Sequence, residues 1–188
     1  MELSTLQSEN LNFDKVWFMF QETDKKFKEM EAYSKRNEKY TKKRIDALEK
    51  LFTGQWGKLI ESLIEGDLIK LLNERGIKVQ NTSTRVKGVY NKEQFEFDII
   101  AENGDDIVVV EVKTTLRPDD VKHFLDKLSK FKEYLPKYKN NNIFGAMAFL
   151  TDDSESAYMT QKKELYAIRA TGNSASIINN SEFVPKAW

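Results

Sequence analysis

Residues 95–113 read FEFDIIA, ENGDD and IVVVEVK, which are two stretches rich in Ile, Val and Phe on either side of a polar turn. An Asn-Gly pair in such a turn is the strongest short-range signal for a β-hairpin. A turn centred on Gly104-Asp105 places Asp98 directly opposite Glu111, and a turn centred one residue earlier places the two diagonally. The segment therefore predicts that two carboxylates meet across a pair of strands.

The neighbours of these carboxylates are apolar, so their pairing is costly unless something compensates it. Like charges opposite each other destabilise a strand pair, and buried carboxylates persist where they are paired or hold a metal. Asp98 and Glu111 therefore predict a cation site. Lys113 adds an ammonium on the face of Glu111, because side chains alternate along a strand. The alternative interpretation is a surface salt-bridge cluster of the same three residues.

Both faces of the hairpin are apolar, so both must be covered by other elements. The predicted faces are Phe97, Ile99, Val108, Val110 and Val112 on one side, and Ile100, Ile107 and Val109 on the other. Two amphipathic helices are predicted to cover them. One runs from near Gln55 to about Glu74 with Gly76 as its C-cap, and the other spans Pro118–Leu135 with proline in its first turn.

Further strands are predicted at Ile77–Val86, Ile143–Leu150 and Tyr166–Ala170, with a short helix at Ala157–Leu165 and an edge-strand candidate at Ser174–Ile178. Helices that alternate with strands in this way are typical of the α/β class. The order predicts a sheet of four or five strands with helices on both faces.

Residues 13–52 contain no Gly and no Pro and predict a long helix. Alternating steps of three and four from Phe13 reach twelve positions, of which seven are apolar, with the polar ones clustered in the middle. Such a repeat indicates a coiled coil, and hence a homodimer. The alternative is a single amphipathic helix folded back on the domain. Thr53-Gly54 is expected to end this helix, which divides the chain into a coiled coil at 1–52 and a domain at 53–188.

The composition excludes several classes of site and supports a core. Hydrophobic residues make up 40 %, and Lys+Arg and Asp+Glu are both 30, so the net charge is zero and no global nucleic-acid footprint is present. The lack of cysteine excludes disulfides and thiol chemistry, and a single histidine excludes structural zinc. The chain has neither a long apolar run nor a signal-peptide layout at its N-terminus, so a cytoplasmic protein is expected.

These residues together resemble the PD-(D/E)xK nuclease superfamily over roughly residues 54–178. The resemblance rests on FEFD ending at Asp98, a spacing of 12 residues, the run Glu111-Val112-Lys113, and a preceding helix that carries glutamates. Phe97 stands where the superfamily motif has proline. The whole layout is similar to an uncharacterised bacterial subfamily with an N-terminal coiled coil. It implies a restriction-endonuclease-like core, with a mixed four- to five-stranded sheet flanked by helices.

The resemblance also implies roles for individual residues. Asp98, Glu111 and the carbonyl of Val112 would hold Mg²⁺ or Mn²⁺, hard cations that prefer oxygen ligands. Lys113 would orient the attacking water and stabilise developing charge, with a general-base role as the alternative. Glu61 matches the helix glutamate of the superfamily, and Glu65, one turn further on, is the second choice for that role.

The expected substrate is DNA, or less favourably RNA, and the expected activity is metal-dependent hydrolysis of phosphodiester bonds. Arg85, Lys87, Lys127 and Lys130 are the candidate phosphate contacts, with ordinary solubilising charges as the alternative. His123 is expected to be solvated or half-buried. Two rival functions remain open: a catalytically inactive nucleic-acid-binding protein with this fold, and a scaffold in which the coiled coil is the working part.

Overall fold

The computed structural model describes residues 13–34, 40–171 and 174–188. The chain divides into two compact units, Met1–Lys50 and Leu51–Trp188. The elements in chain order are α1 Phe13–Ser34, α2 Tyr40–Glu74, β1 Asn81–Tyr90, β2 Glu93–Glu102, β3 Asp106–Leu116, α3 Pro118–Ser129, α4 Phe131–Tyr134, a 3₁₀ turn Pro136–Tyr138, β4 Asn142–Asp152, α5 Ser156–Lys162, β5 Tyr166–Thr171 and β6 Ser174–Ile177. No helix within these described ranges is both long and apolar enough to cross a membrane.

The helix predicted over residues 13–52 is only partly covered, because residues 35–39 lie outside the described ranges. The predicted break at Thr53-Gly54 is wrong, since α2 continues through it to Glu74. A glycine costs about 1 kcal/mol in a helix interior relative to alanine, a cost that neighbouring helical residues can outweigh. The predicted coiled coil and the domain boundary at residue 52 stay predictions.

The C-terminus of α2 is capped as expected for a glycine in the left-handed region. Gly76 has φ of 84°, and the Ile77 N–H donates to the Leu72 carbonyl at 3.0 Å. This is the bond that satisfies a carbonyl of the last helical turn in a Schellman cap. The chain therefore leaves α2 sharply and enters the sheet at β1.

The sheet is mixed and has six strands in the order β1-β2-β3-β4-β5-β6. The first three strands are antiparallel, β3, β4 and β5 are parallel, and β6 is antiparallel to β5. The prediction of four or five strands is therefore too low. The difference is β6, whose four residues pair with β5 as an edge strand.

The hairpin adopts the first of the two predicted registers. Ile99 pairs with Val110 and Glu102 with Ile107, so the turn is centred on Gly104-Asp105. Gly104 has φ of 101°, a conformation that glycine adopts without steric cost. The Asn103 side chain accepts hydrogen bonds from the two N–H groups that follow Gly104, at 3.0 and 2.8 Å. An asparagine that holds its own turn in this way stabilises one register over the other.

Helices cover both faces of the sheet, as predicted. α3 packs its buried residues Val121, Phe124 and Leu128 into the cluster that contains Ile100, Ile107 and Val109 of the hairpin. The alternate hairpin residues Ile99, Val108 and Val110 face the other way and are fully buried, as are Ile60, Ile64, Leu68 and Leu72 of α2. The second predicted helix ends at Ser129 rather than Leu135, and the short α4 follows it.

Phe97 lies on the opposite face from the one predicted. It belongs to the α3-side cluster instead of sharing the face of Ile99. On β1, Thr84 pairs with Ile99 and Val86 with Phe97, while the intervening Arg85 has no ladder partner and has φ of 52°. A single left-handed residue interrupts the extended alternation of a strand. The alternation of side chains between the two faces of the sheet is therefore interrupted at the level of Arg85.

Gly145 on β4 is predicted to accept even a methyl side chain only at a cost in stability. A Cβ added there would lie 2.6 Å from the terminal methyls of Leu128 and Leu165, both of which are buried. Gly145→Ala should therefore lower the free energy of unfolding by about 1–3 kcal/mol, as overpacking typically does. Gly66→Ala is the matched control, because nothing lies within 4 Å of its added Cβ and alanine favours a helix by about 1 kcal/mol. The free energy of unfolding is measured by urea denaturation. Equal values for Gly145→Ala and Gly66→Ala would contradict this packing.

Candidate active site

The acidic residues lie where the pairing of β2 with β3 ends. The last main-chain pair is Ile99 with Val110, and the same register continued by one step places Asp98 opposite Glu111. At this point the Val112 N–H donates to Asp98 Oδ2 at 2.8 Å. A carboxylate thus takes the place of a strand carbonyl as the acceptor. Main-chain pairing between β2 and β3 stops before this point. The two carboxylates therefore lie beside each other just beyond the last paired residues.

Glu111 is a mostly buried carboxylate that contacts two lysines. Lys113 Nζ lies 2.9 Å from its Oε1, and Lys127 Nζ, from α3, lies 2.5 Å from its Oε2. The Glu111 side chain is only 13 % exposed, compared with 32 % for Lys113 and 23 % for Lys127. Lys127 Nζ also lies 5.0 Å from the centre of the Phe97 ring, within range of a cation–π contact. The salt-bridge alternative is thus realised for Glu111 and Lys113, but in a largely buried setting.

Burial and charge move the pKa values of this site in opposite directions. Burial, together with the charge of Glu111, raises the pKa of Asp98 to about 6. Burial also disfavours the charged form of Glu111, but Lys127 and Lys113 outweigh it and lower the pKa of that carboxyl. Burial would lower the pKa of Lys113, but the charge and hydrogen bond of Glu111, together with the charges of Asp120 and Asp98, outweigh it and raise the pKa of that ammonium. Lys113 is therefore an ammonium ion here, which disfavours the predicted general-base role.

The helix glutamates of α2 contact β1. Arg85 donates from both Nε and Nη2 to Glu61 Oε2, at 2.8 and 2.7 Å, and Thr82 donates to Glu65 Oε1 at 3.0 Å. Among the residues that the structure describes, no three acidic, histidine or cysteine side chains form a group able to hold a metal. The structure therefore brings Asp98, Glu111 and Lys113 together but does not add Glu61 to them as a third ligand.

The candidate phosphate contacts lie in different environments. Lys87 pairs with Glu96 at 3.1 Å, and Lys130 lies 3.9 Å from Glu93, with all four side chains well exposed. His123 is exposed on α3, in line with the expectation for it. Exposed ion pairs of this kind contribute little to stability and exchange partners readily.

Two features of the site were missed by reasoning from the sequence. Lys127 was expected to contact phosphate but binds Glu111. Lys127 lies between the buried Phe124 and Leu128 of α3. This position places it at the edge of the apolar stripe of the helix and not on its solvated face. The left-handed backbone of Arg85 had no sequence signal, because such a conformation is uncommon for a residue of that type.

No family model and no curated protein matches the chain. Among solved structures, a repair endonuclease from Pyrococcus abyssi is similar at 16 % identity, covering 57 % of this chain and 46 % of its own, with a TM-score of 0.41. EndoMS in a complex with dsDNA is similar at 17 % identity, covering 57 % of this chain and 44 % of its own, with a TM-score of 0.37. A protein of unknown function, AF1548, is similar at 16 % identity, covering 54 % of this chain and 54 % of its own, with a TM-score of 0.38.

The chain thus spans about half the length of the solved structures it matches. Similarity of this extent carries no argument about function, which depends on the groups placed at a site. The case for an activity therefore rests on the geometry around Asp98 and Glu111.

Proposed function

We propose that this chain hydrolyses phosphodiester bonds of DNA with a bound Mg²⁺ or Mn²⁺, as a nuclease of the PD-(D/E)xK type. One observation carries the proposal. Asp98 and Glu111 meet where strand pairing ends, beside the ammonium of Lys113, in a largely buried site that raises the pKa of Asp98 to about 6. Perturbed acidic groups beside a fixed cation are typical of functional sites.

The residues present fit a hard divalent cation. Asp98 and Glu111 offer carboxylate oxygens, and the Val112 N–H is directed to Asp98. The N–H and C=O of one strand residue point to the same edge, so the Val112 carbonyl faces the end of the β2–β3 ladder as well. All three donors are oxygens, the type that Mg²⁺ and Mn²⁺ prefer. Bound here, the cation would supply Lewis acidity toward the scissile phosphate and an acidified water.

The protein's own residues have separate tasks in this scheme. Lys113, held as an ammonium by Glu111, stabilises the charge that develops on the phosphate, which is a preorganised electrostatic contribution. Lys127 holds the second oxygen of Glu111 and so orients that carboxylate from α3. Glu61 is the proposed further oxygen donor from α2, and Glu65 the second choice. Lys87 and Lys130 are proposed as backbone contacts that position the nucleic acid.

Cleavage of supercoiled plasmid and branched DNA by the full-length protein tests this function. We expect cleavage with Mg²⁺ or Mn²⁺ and none in excess chelator. The competing candidate is a protein that binds nucleic acid without turnover. The pairing of Glu111 with two lysines favours it, since both carboxylate oxygens already have a cationic partner. Salt-dependent retention of DNA with no product under either metal would select that candidate instead.

We further propose that the protein is a homodimer through a coiled coil that begins in α1. Met30 lies on the predicted 3-4 seam and is 39 % exposed, and Phe18, off that seam, is 63 % exposed. Seam positions of a coiled coil insert into holes on the partner helix and reject charge. The remaining surface of α1 carries ion pairs one turn apart, such as Asp24 with Lys28 at 2.8 Å.

Met30→Glu should therefore shift the protein from dimer to monomer. The charge would be buried in the seam without a partner, which is unfavourable. Light scattering at several protein concentrations measures the mass. Phe18→Glu is the control, because its position lies opposite the seam and the mass should not change. A wild-type chain that is already monomeric would refute the coiled coil.

A further inference from the structure

Arg85 combines a strained backbone with a specific ion pair. Its φ of 52° lies in the left-handed region, and of the described non-glycine residues with positive φ it is the one inside a strand. Such a conformation is sterically unfavourable for an ordinary residue. Strain of this kind is concentrated at functional sites, where the surrounding structure holds it in place. From this position the Arg85 guanidinium donates to Glu61 of α2.

The pair that Arg85 makes is suited to exchange. Arg85 contacts a single oxygen of Glu61 with two of its nitrogens, although its fork can hold two oxygens of one anion at once. The Arg85 side chain is 38 % exposed and the Glu61 side chain 17 %. A pair this exposed contributes little to stability, so a stronger partner can displace it.

The position of Arg85 links two parts of the candidate site. It lies on β1 between the residues paired with Ile99 and Phe97, so Asp98 is its neighbour across the strands. The hydrogen bond from Arg85 to Glu61 and the charge of Glu61 raise the pKa of Arg85, with smaller contributions from the charges of Glu96 and Asp98. Arg85 is thus a cation close to both the α2 glutamate and the β2 aspartate.

We propose that Arg85 is a phosphate-responsive switch for Glu61: it holds the Glu61 carboxylate in the free protein and transfers to a backbone phosphate when nucleic acid binds, which releases Glu61. The inference rests on the proposed function, because it names the event that completes the same site. It accounts for the lack of a three-acid metal group among the described residues, since Glu61 joins the site only after Arg85 has left it.

The exchange is favourable on electrostatic grounds. Arginine binds phosphate with two parallel charge-assisted hydrogen bonds, which are stronger than its present contact with one carboxylate oxygen. Neutralising a phosphate also releases counterions from the nucleic acid. Glu61 then loses the cation that it pairs with in the part of the chain that the structure describes, and a mostly buried carboxylate without a partner attracts one. Binding of the backbone and availability of Glu61 are therefore coupled.

A double-mutant cycle on DNA affinity tests the switch without any catalysis. Binding of a fluorescent duplex oligonucleotide is measured by anisotropy in chelator for wild type, Glu61→Gln, Arg85→Gln and the double variant. Glu61→Gln should tighten binding by roughly threefold to fivefold, the factor expected when one ion pair no longer competes. In the Arg85→Gln background the same change should have no such effect. Arg85→Lys keeps the charge but lacks the fork, so it should restore part of the coupling.

The pair of Lys122 and Asp119 provides the control, since both residues are exposed on α3 and neither is assigned a contact with nucleic acid. Asp119→Asn, with and without Lys122→Gln, measures what the loss of a carboxylate that pairs with an exposed lysine does to DNA affinity. Coupling between Arg85 and Glu61 that does not exceed this control overturns the switch. Plasmid cleavage is scored separately. If plasmid is cleaved but the coupling does not exceed the control, the switch alone is refuted. If the coupling exceeds the control but no plasmid is cleaved, the switch is supported and the proposed nuclease activity is refuted. A wild-type protein that binds no DNA would overturn both proposals.

Discussion

Asp98→Asn is expected to abolish metal-dependent cleavage and at the same time to make the protein more stable. The amide keeps the shape of the side chain, and its oxygen can still accept the hydrogen bond from Val112. It removes a charge that burial and Glu111 disfavour in the folded state. Residues that are required for function but costly for folding show this opposition.

The size and pH dependence of the gain follow from the pKa of Asp98. Its rise from 3.8 to about 6 means that the folded state binds more protons than the unfolded state between these values. Stability contributed by this group is therefore present at low pH and is lost as pH rises through about 6. That rise already includes the attraction of Lys113 and Lys127 and corresponds to about 3 kcal/mol. We expect Asp98→Asn to gain about 1–3 kcal/mol at pH 7 and almost none near pH 4.

Chemical denaturation in chelator at several pH values measures this gain. Asp119→Asn is the control, because Asp119 is exposed on α3 and its pKa is lowered by the hydrogen bond and charge of Lys122. It should cleave DNA normally and gain no stability. Adding Mg²⁺ or Mn²⁺ should stabilise the wild type and leave Asp98→Asn unchanged, since a ligand stabilises only the form that binds it. Cleavage by Asp98→Asn at the wild-type rate would refute the assigned site.

Lys113→Met is expected to lower the cleavage rate by about a hundredfold to a thousandfold, the usual loss when a preorganised charge at the reacting centre is removed. Methionine keeps most of the side-chain volume, so the packing of β3 should survive. Glu111 also keeps its contact with Lys127, so no buried carboxylate is left alone. The free energy of unfolding should therefore change much less than the rate.

Lys122→Met is the matched control, because Lys122 is an exposed lysine that pairs with Asp119 at 2.8 Å. Rates are compared at saturating DNA, and DNA affinity is measured separately in chelator. If the protein is a nuclease, Lys113→Met should lower the cleavage rate and keep most of the affinity for DNA. A rate loss that is equal in the two variants would show that Lys113 acts only through general charge.

Local patterns were sufficient for most of the elements near the site. The alternation and the Asn-Gly turn predicted the hairpin, and the apolar period with Pro118 at the first position predicted α3, although its end was placed six residues too far. The broken helix at Gly54 was predicted from a residue that weakens a helix locally. It was wrong because the continuous hydrogen bonding of α2 outweighs one unfavourable residue.

The candidate site was predictable only in part. Asp98, Glu111 and Lys113 lie on one hairpin, so strand geometry alone brought them together. Lys127 reaches Glu111 from a helix 16 residues away along the chain, and Arg85 reaches Glu61 across 24. No local pattern specifies contacts between elements that only packing brings together.

The sequence by itself determined that two acidic residues and a lysine meet on a buried hairpin, because side-chain alternation and turn chemistry act over a few residues. Of the two registers that the turn allowed, the structure has the one that the Asn103 side chain holds. The tertiary structure alone decided the face of Phe97, the partners of Glu111 and Glu61 and the pKa of Asp98. These features depend on contacts and burial that come from other elements of the chain.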